Sequence, residues 1–183
     1  MFQCCIFDLD GTMTDTLESL TFSDNETMKP IGFPEITQEQ CRQFVGNGAK
    51  VLIEKTLEAG GDHELRHFDE AFEAYGRIFD DNCTYRVAPY DGVPELLKEL
   101  KNRGIKLGVL SNKPDNVARD IVRTMFGPLV DQAHGQRAEF PTKPDPAAVL
   151  QMAADFGVEP GRVLYCGDSG VDMETGRNAG MAP

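Results

Sequence analysis

Asp8-Leu9-Asp10-Gly11-Thr12 puts two carboxylates one residue apart, directly after an apolar run at residues 2–7 and directly before a glycine. At a strand end such a pair converges on one pocket, where carboxylates can hold a hard cation or exchange protons with a bound group. The competing reading is an acidic turn that merely caps a strand. That reading weakens because two further apolar runs, 105–110 and 163–167, also end in chemistry-bearing residues. Ser111-Asn112-Lys113 follows the first, and Asp168-Ser169 with Asp172 follows the second. Lys143, in Lys143-Pro144-Asp145-Pro146, adds a cation that by itself would read as one more solvated surface lysine. Carboxylates, a hydroxyl, an amide and ammonium groups gathered at several strand ends are the parts of a site that handles an anion beside a metal.

The three apolar runs read as buried parallel strands, and helical patterns separate them. Residues 93–103 carry Pro94 early, apolar Leu96, Leu97 and Leu100, and Gly104 as a stop. A second helix follows Ser111 with Val117, Ile121, Val122 and Met125 on one stripe. A third runs from Pro146 through Val149, Leu150, Ala153 and Phe156 to Gly157, with Asp145 as its cap. Strands alternating with such helices predict an α/β fold, an open, doubly wound, Rossmann-like parallel sheet whose ligands gather at the carboxyl ends of the strands.

Residues 16–84 break the alternation and read as four helices with no strand between them. The chain is therefore expected to divide into a core, 1–15 with 85–183, and an inserted helical domain, 16–84. Thr37 with Gln40 predicts a capping-box start. Leu65, Phe68, Phe72, Tyr75 and Phe79 fall at helical spacing and read as core. The loop Val45-Gly46-Asn47-Gly48 has glycines that permit positive φ and close approach to a ligand.

Thirty acidic residues against 18 Lys and Arg give a net charge of -12, which repels nucleic acid and anionic membrane surfaces, so neither is expected as a partner. Cys4, Cys5, Cys41, Cys83 and Cys166 are scattered without metal-binding spacing and read as reduced, mostly buried thiols. His63, His67 and His134 have no partner spacing and read as surface or structural residues. No apolar run approaches the roughly 20 residues of a membrane span, and a cytoplasmic location is the expectation.

Taken together, DLDGTMTD at 8–15, SNK at 111–113, KPDP at 143–146 and GDSGVD at 167–172 resemble the four ordered motifs of the haloacid dehalogenase superfamily. The helical insertion with FVGNGAK is similar to the phosphoglycolate phosphatase branch and its helical cap. The resemblance implies a phosphatase acting on a small phosphorylated metabolite, with phosphoglycolate as first guess, through an aspartyl-phosphate intermediate on Asp8. It implies magnesium held by the Asp8 and Asp168 carboxylates and the Asp10 backbone carbonyl, with Asp172 acting through water or from behind. Asp10 would be the proton donor and acceptor, Ser111 and Asn112 would bind phosphate oxygens, and Lys143 would stand beside the nucleophile. In the cap, Gly46, Asn47, Gly48 and Lys50 would touch the rest of the substrate.

Relatives of this kind continue for another strand and helix beyond the position of Pro183. Their absence from this sequence predicts an uncovered sheet edge, lower stability, weaker magnesium binding and an opening for self-association. A sugar phosphomutase, or a non-catalytic phosphate-binding protein, is the alternative. A phosphorylatable receiver domain fits less well, because it needs no helical insertion and does not carry its acceptor Asp on the first strand.

Overall fold

The structure is a computed structural model that describes Met1–Pro183. Contacts within the backbone divide the chain into two compact units, Met1–Asp15 with Ala88–Pro183, and Thr16–Val87.

In the first unit, β1 (Cys4–Phe7) is followed by a short strand, β2 (Thr14–Asp15). The chain returns after the second unit through β3 (Ala88–Pro89), α5 (Val93–Asn102), β4 (Lys106–Pro114), α6 (Asp115–Phe126), β5 (Gln132–Gln136), α7 (Ala147–Asp155), β6 (Val163–Cys166) and α8 (Gly170–Asn178). The main sheet has the order β5-β4-β1-β6 and is parallel throughout. Its order reverses beside β1, the place where open α/β sheets form their ligand crevice. Side chains alternate across the sheet. Cys4, Ile6, Leu110, Val163 and Tyr165 point to one face and pack with Val149, Met152 and Ala153 of α7 and with Ala179 and Met181 after α8. On β4, Gly108 leaves room for that layer, because a Cβ there would stand 2.5 Å from Met152 Sδ. The opposite face buries Leu107 and Val109, and helices α5 and α6 pack against β4.

Two differences from the sequence reading bear on the site. Strand β4 runs on through Ser111, Asn112 and Lys113 to Pro114 instead of ending at Leu110, and its register with β5 shifts between Leu110 and Pro114. Strand β5 is unforeseen, since Gln132-Ala133-His134-Gly135-Gln136 has no apolar run; it forms a polar edge strand. Beyond α8, Ala182 lies parallel to β6, where Tyr165 N donates to Ala182 O at 2.8 Å and Ala182 N to Val163 O at 3.2 Å.

The second unit contains α1 (Leu17–Met28), α2 (Gln38–Phe44), α3 (Ala49–Ala59) and α4 (Phe68–Asn82). The Thr37–Gln40 capping box is formed, with Thr37 Oγ1 accepting from Gln40 N and Gln40 Oε1 from Thr37 N. The aromatic stripe of α4 is only half core. Tyr75 and Phe79 are buried, whereas Phe72 is 41% exposed and stacks on the half-buried Phe68 at 5.4 Å rather than beneath a neighbouring helix. One polar residue in this interior stands out. Asp24 of α1 is fully buried, and neither carboxylate oxygen has a hydrogen-bond partner. Burial pushes its carboxyl up to about 7; the Thr56 hydroxyl on α3 softens the shift without completing a hydrogen bond.

Candidate active site

Parallel register brings the chemistry-bearing residues to one end of the sheet. Phe7 pairs with Val109 on β4 and with Cys166 on β6, so Asp8 and Gly167-Asp168 leave adjacent strands side by side. Asp8 N donates to Cys166 O at 2.8 Å and holds the first of these turns in place. Leu9 O then accepts from both Met13 N and Thr14 N at 3.0 Å, and Gly11 N donates to Thr14 O at 3.0 Å. The turn folds Asp10 back toward the same mouth. Glycine is required at position 11: φ is +77°, and a Cβ would stand 2.4 Å from Asp168 Oδ2.

Ser111, Asn112 and Lys113 lie in the stretch of β4 where the ladder to β5 shifts register. Irregular pairing of this kind re-aims side chains at the rim of a sheet. Ser111 Oγ accepts from Lys113 N at 3.2 Å. Asn112 faces sideways: its Oδ1 accepts from Lys143 N at 2.9 Å, and its Nδ2 donates to Lys143 O at 3.2 Å. The Asn112 side chain thus clamps the backbone of Lys143, and that engagement sets its orientation more than an outward-facing phosphate contact would.

Lys143 is buried at the centre of the acidic group. Its Nζ lies 2.7 Å from Asp8 Oδ1 and 2.7 Å from Asp172 Oδ1. Asp172 is fully buried at the start of α8, where Ser169 Oγ donates to Asp172 Oδ2 at 2.5 Å and accepts from Asp172 N at 3.3 Å. With Lys143 on one oxygen and Ser169 on the other, Asp172 orients the ammonium. Thr12 Oγ1 donates to Asp168 Oδ1 at 3.0 Å, and Asp168 is exposed at the mouth.

Charge follows the packing. Burial raises Asp8 to about 7, with Asp172 and Asp10 adding to the rise and Lys143 opposing it. Burial alone would draw the Lys143 ammonium down, but the Asp8 and Asp172 carboxylates outweigh it and hold the group protonated. Asp172 is pulled up by burial and down further by Lys143 and Ser169, so it ends lowered. Asp8, Asp168 and Asp172 each offer an oxygen, all within 4.8 Å of one another. With Asp10, these four carboxylates face the two buried ammonium groups of Lys113 and Lys143, a surplus of two negative charges when all are ionised. An all-oxygen donor set with that surplus fits a hard divalent cation.

The remaining sequence-derived residues are in the other unit. Gly46, Asn47 and Gly48 form the turn between α2 and α3, with φ of +109° at Gly46 and +87° at Gly48. Lys50, in the first turn of α3, pairs with Glu54 at 3.8 Å and stands 6.0 Å from the Phe68 ring centroid. Sequence reasoning gave Lys113 no partner. In the fold it is 6% exposed, with Nζ 3.1 Å from Asp10 Oδ1.

A sequence profile of the haloacid dehalogenase-like hydrolases matches residues 5–182. The chain belongs to this family. Among curated relatives, a phosphoglycolate phosphatase of Aquifex aeolicus is 30% identical over 96% of this chain and 80% of its own length. One from Vibrio vulnificus is 32% identical over 96% and 79%. An N-acetylmuramic acid 6-phosphate phosphatase of Pseudomonas aeruginosa is 29% identical over 97% and 78%. A solved structure from Haemophilus somnus, described as a predicted phosphoglycolate phosphatase, has a TM-score of 0.91 at 28% identity, covering 99% of this chain and 83% of the other. This hydrolase therefore falls in the phosphoglycolate phosphatase-like branch, among the phosphoric monoester hydrolases. No helix is long and apolar enough to cross a membrane.

Proposed function

We propose that this hydrolase removes phosphate from a small phosphomonoester with magnesium as cofactor, and that phosphoglycolate is the first substrate to try. The observation that carries the reading is the buried Lys143 ammonium, 2.7 Å from both Asp8 and Asp172, with Asp168 close by. With a bound divalent cation offsetting the site's surplus of negative charge, such an arrangement would let an anionic phosphate approach the Asp8 carboxylate. When bound, the cation would draw charge from the phosphate oxygens and hold Asp8 ionised; Asp8, Asp168 and the Asp10 carbonyl would hold it.

Asp8 is the proposed nucleophile. One of its carboxylate oxygens forms a bond to phosphorus as the bond from phosphorus to the ester oxygen breaks, and Asp10 delivers a proton to that departing oxygen. In the second half, Asp10 takes a proton from water as the water oxygen attacks phosphorus, releasing phosphate and restoring Asp8. Ser111 Oγ and backbone N–H groups in the irregular stretch of β4 would bind phosphate oxygens, while Asn112 keeps Lys143 in position. Recognition beyond phosphate is assigned to the helical unit, through Gly46, Asn47, Gly48 and Lys50. The two phosphatase names among the relatives specify different esters, so the helical unit is where substrates would diverge. The five free cysteines accord with a reducing, cytoplasmic location.

Phosphate release from a panel containing phosphoglycolate, sugar phosphates and pyrophosphate, with magnesium and then with excess chelator, tests the reading. Turnover that survives the chelator, or a transfer product without free phosphate, would overturn it; the second outcome would mark a phosphomutase.

A further inference from the structure

We propose that Tyr165 is a positioning residue: its hydroxyl, together with Ser169, fixes the Asp172 carboxylate so that the Lys143 ammonium stays in place beside Asp8. The inference rests on the assignment of Asp8 as nucleophile made above. Tyr165 lies on β6 and is 1% exposed. Its ring belongs to the apolar layer that includes Ile6, Val149, Met152, Ala153 and Met181. A phenyl ring would fill that layer as well, so packing accounts for the ring and leaves the hydroxyl unexplained. A buried Tyr O–H finds a polar partner, and here the partners belong to the site. Tyr165 OH donates to Asp172 Oδ1 over a long 3.4 Å, and it stands within hydrogen-bond reach of the Lys143 ammonium.

Asp172 is engaged at both oxygens. Oδ1 accepts from Lys143 Nζ at 2.7 Å and from Tyr165 OH; Oδ2 accepts from Ser169 Oγ at 2.5 Å and from Ser169 N at 3.2 Å. A carboxylate has about four lone-pair sites, so these four donors use it fully. Gly167 closes a further side, since a Cβ there would stand 2.3 Å from Asp172 Cγ. Asp172 is therefore a fixed point within the site.

A lysine ammonium rides on a flexible stem and goes where its acceptors hold it. Asn112 clamps the backbone end of Lys143, while Asp8 Oδ1 and Asp172 Oδ1, each 2.7 Å from Nζ, hold the charged end. These two acceptors fare differently in the proposed reaction. Asp8 spends its carboxylate charge when it bonds to phosphorus, and its hold on the ammonium weakens. Asp172 keeps its charge and retains Lys143 beside the transferring group. Without the Tyr165 hydroxyl, Oδ1 loses one of its two donors, and the carboxylate and the ammonium can shift together away from phosphorus.

Tyr165→Phe keeps the ring and removes only the hydroxyl. In the full chain with magnesium, it should lower kcat for both phosphoglycolate and para-nitrophenyl phosphate roughly tenfold, the scale of one hydrogen bond to a charged group. KM for both esters, and magnesium affinity by calorimetric titration, should hold. In an Asp172→Asn background the same change should alter kcat by no more than about twofold, because the carboxylate it positions is gone. A merely structural role would lower the melting temperature and act equally in both backgrounds. Unchanged kcat, an equal loss in both backgrounds, or a loss confined to KM or to magnesium affinity would overturn the proposal. Ser169→Ala releases the other oxygen of Asp172 and should give the same loss in kcat alone, which keeps the comparison open should Tyr165→Phe not fold. Asp8→Asn checks the underlying assignment: if it retains phosphate release, Asp8 is not the nucleophile; if it abolishes release while Tyr165→Phe turns over normally, only the role of Tyr165 falls.

Discussion

Replacing Asp24 by Asn should stabilise the helical unit, and by more as pH rises. The carboxyl is fully buried, both oxygens lack hydrogen-bond partners, and burial lifts it from 3.8 to about 7. An unfolded chain releases this proton near the ordinary value, so between those limits the folded state holds a proton that the unfolded state has lost. A raised folded value means that the group's contribution is intact below 3.8, declines with rising pH, and stays lost above about 7. At about 1.4 kcal/mol per unit, the rise from 3.8 to about 7 amounts to about 4 kcal/mol. Asn has nearly the same shape and does not ionise, so the two proteins should match near the low end and diverge by up to about 4 kcal/mol by roughly pH 8. The chain has no tryptophan, and urea unfolding followed by far-UV circular dichroism suits a helical transition. Asp8, which is also raised to about 7, is common to both proteins and drops out of the difference. A stability gap that is flat across the range would show that Asp24 does not change its proton on folding; one that narrows with rising pH would reverse the sign of the reasoning.

Asp8→Asn should reduce phosphate release to background on every ester while leaving the fold intact by circular dichroism, since an amide is a poor nucleophile and a weaker cation ligand; normal rates would remove Asp8 from the chemistry. Gly11→Ala places a methyl group against Asp168 at a φ that costs an L-residue roughly 1–2 kcal/mol, and calorimetric titration should show magnesium affinity reduced about tenfold or more. Lys50→Ala should lower kcat/KM for phosphoglycolate, which has an anionic end, several fold more than for para-nitrophenyl phosphate, because charge pairing strengthens where water is excluded. Equal losses on the two would mean that Lys50 does not read the substrate.

Local chemistry made much of the core legible. Apolar runs marked β1, β4 and β6, whereas the N-cap of α7 falls on Pro146 and not on Asp145, which stands one residue earlier with its Oδ1 accepting from Ala147 N at 2.9 Å. The same reasoning passed over β5, because an edge strand pairs on one side only and needs no apolar run; its constraint is a glycine with no room for a Cβ. It ended β4 too soon, because Ser111-Asn112-Lys113 is polar for the sake of the site while remaining within the strand. Phe72 shows the limit of periodicity: helical spacing says which residues share a face, not how far a neighbouring helix covers it. The pairings of Lys113 with Asp10 and of Asn112 with the Lys143 backbone join residues far apart in the chain. No local rule connects them, so they became visible only with the fold. Asp24 is a converse case, a carboxylate at a core position that polarity alone would have put on the surface.

Strands β2 and β3 pair antiparallel, with Asp15 opposite Ala88 and Thr14 opposite Pro89. The chain therefore leaves for the helical unit and comes back at neighbouring backbone positions, about 5 Å apart as antiparallel partners are. A segment whose two ends lie side by side behaves as a module with a standard socket: it can be lengthened, exchanged or replaced by a tight turn without shifting the register of any strand that carries an aspartate or lysine of the site. If the helical unit reads the substrate as proposed, phosphate chemistry and substrate choice are free to change at different rates in descent, and in the laboratory a foreign insert spliced between Asp15 and Ala88 would meet an unaltered sheet.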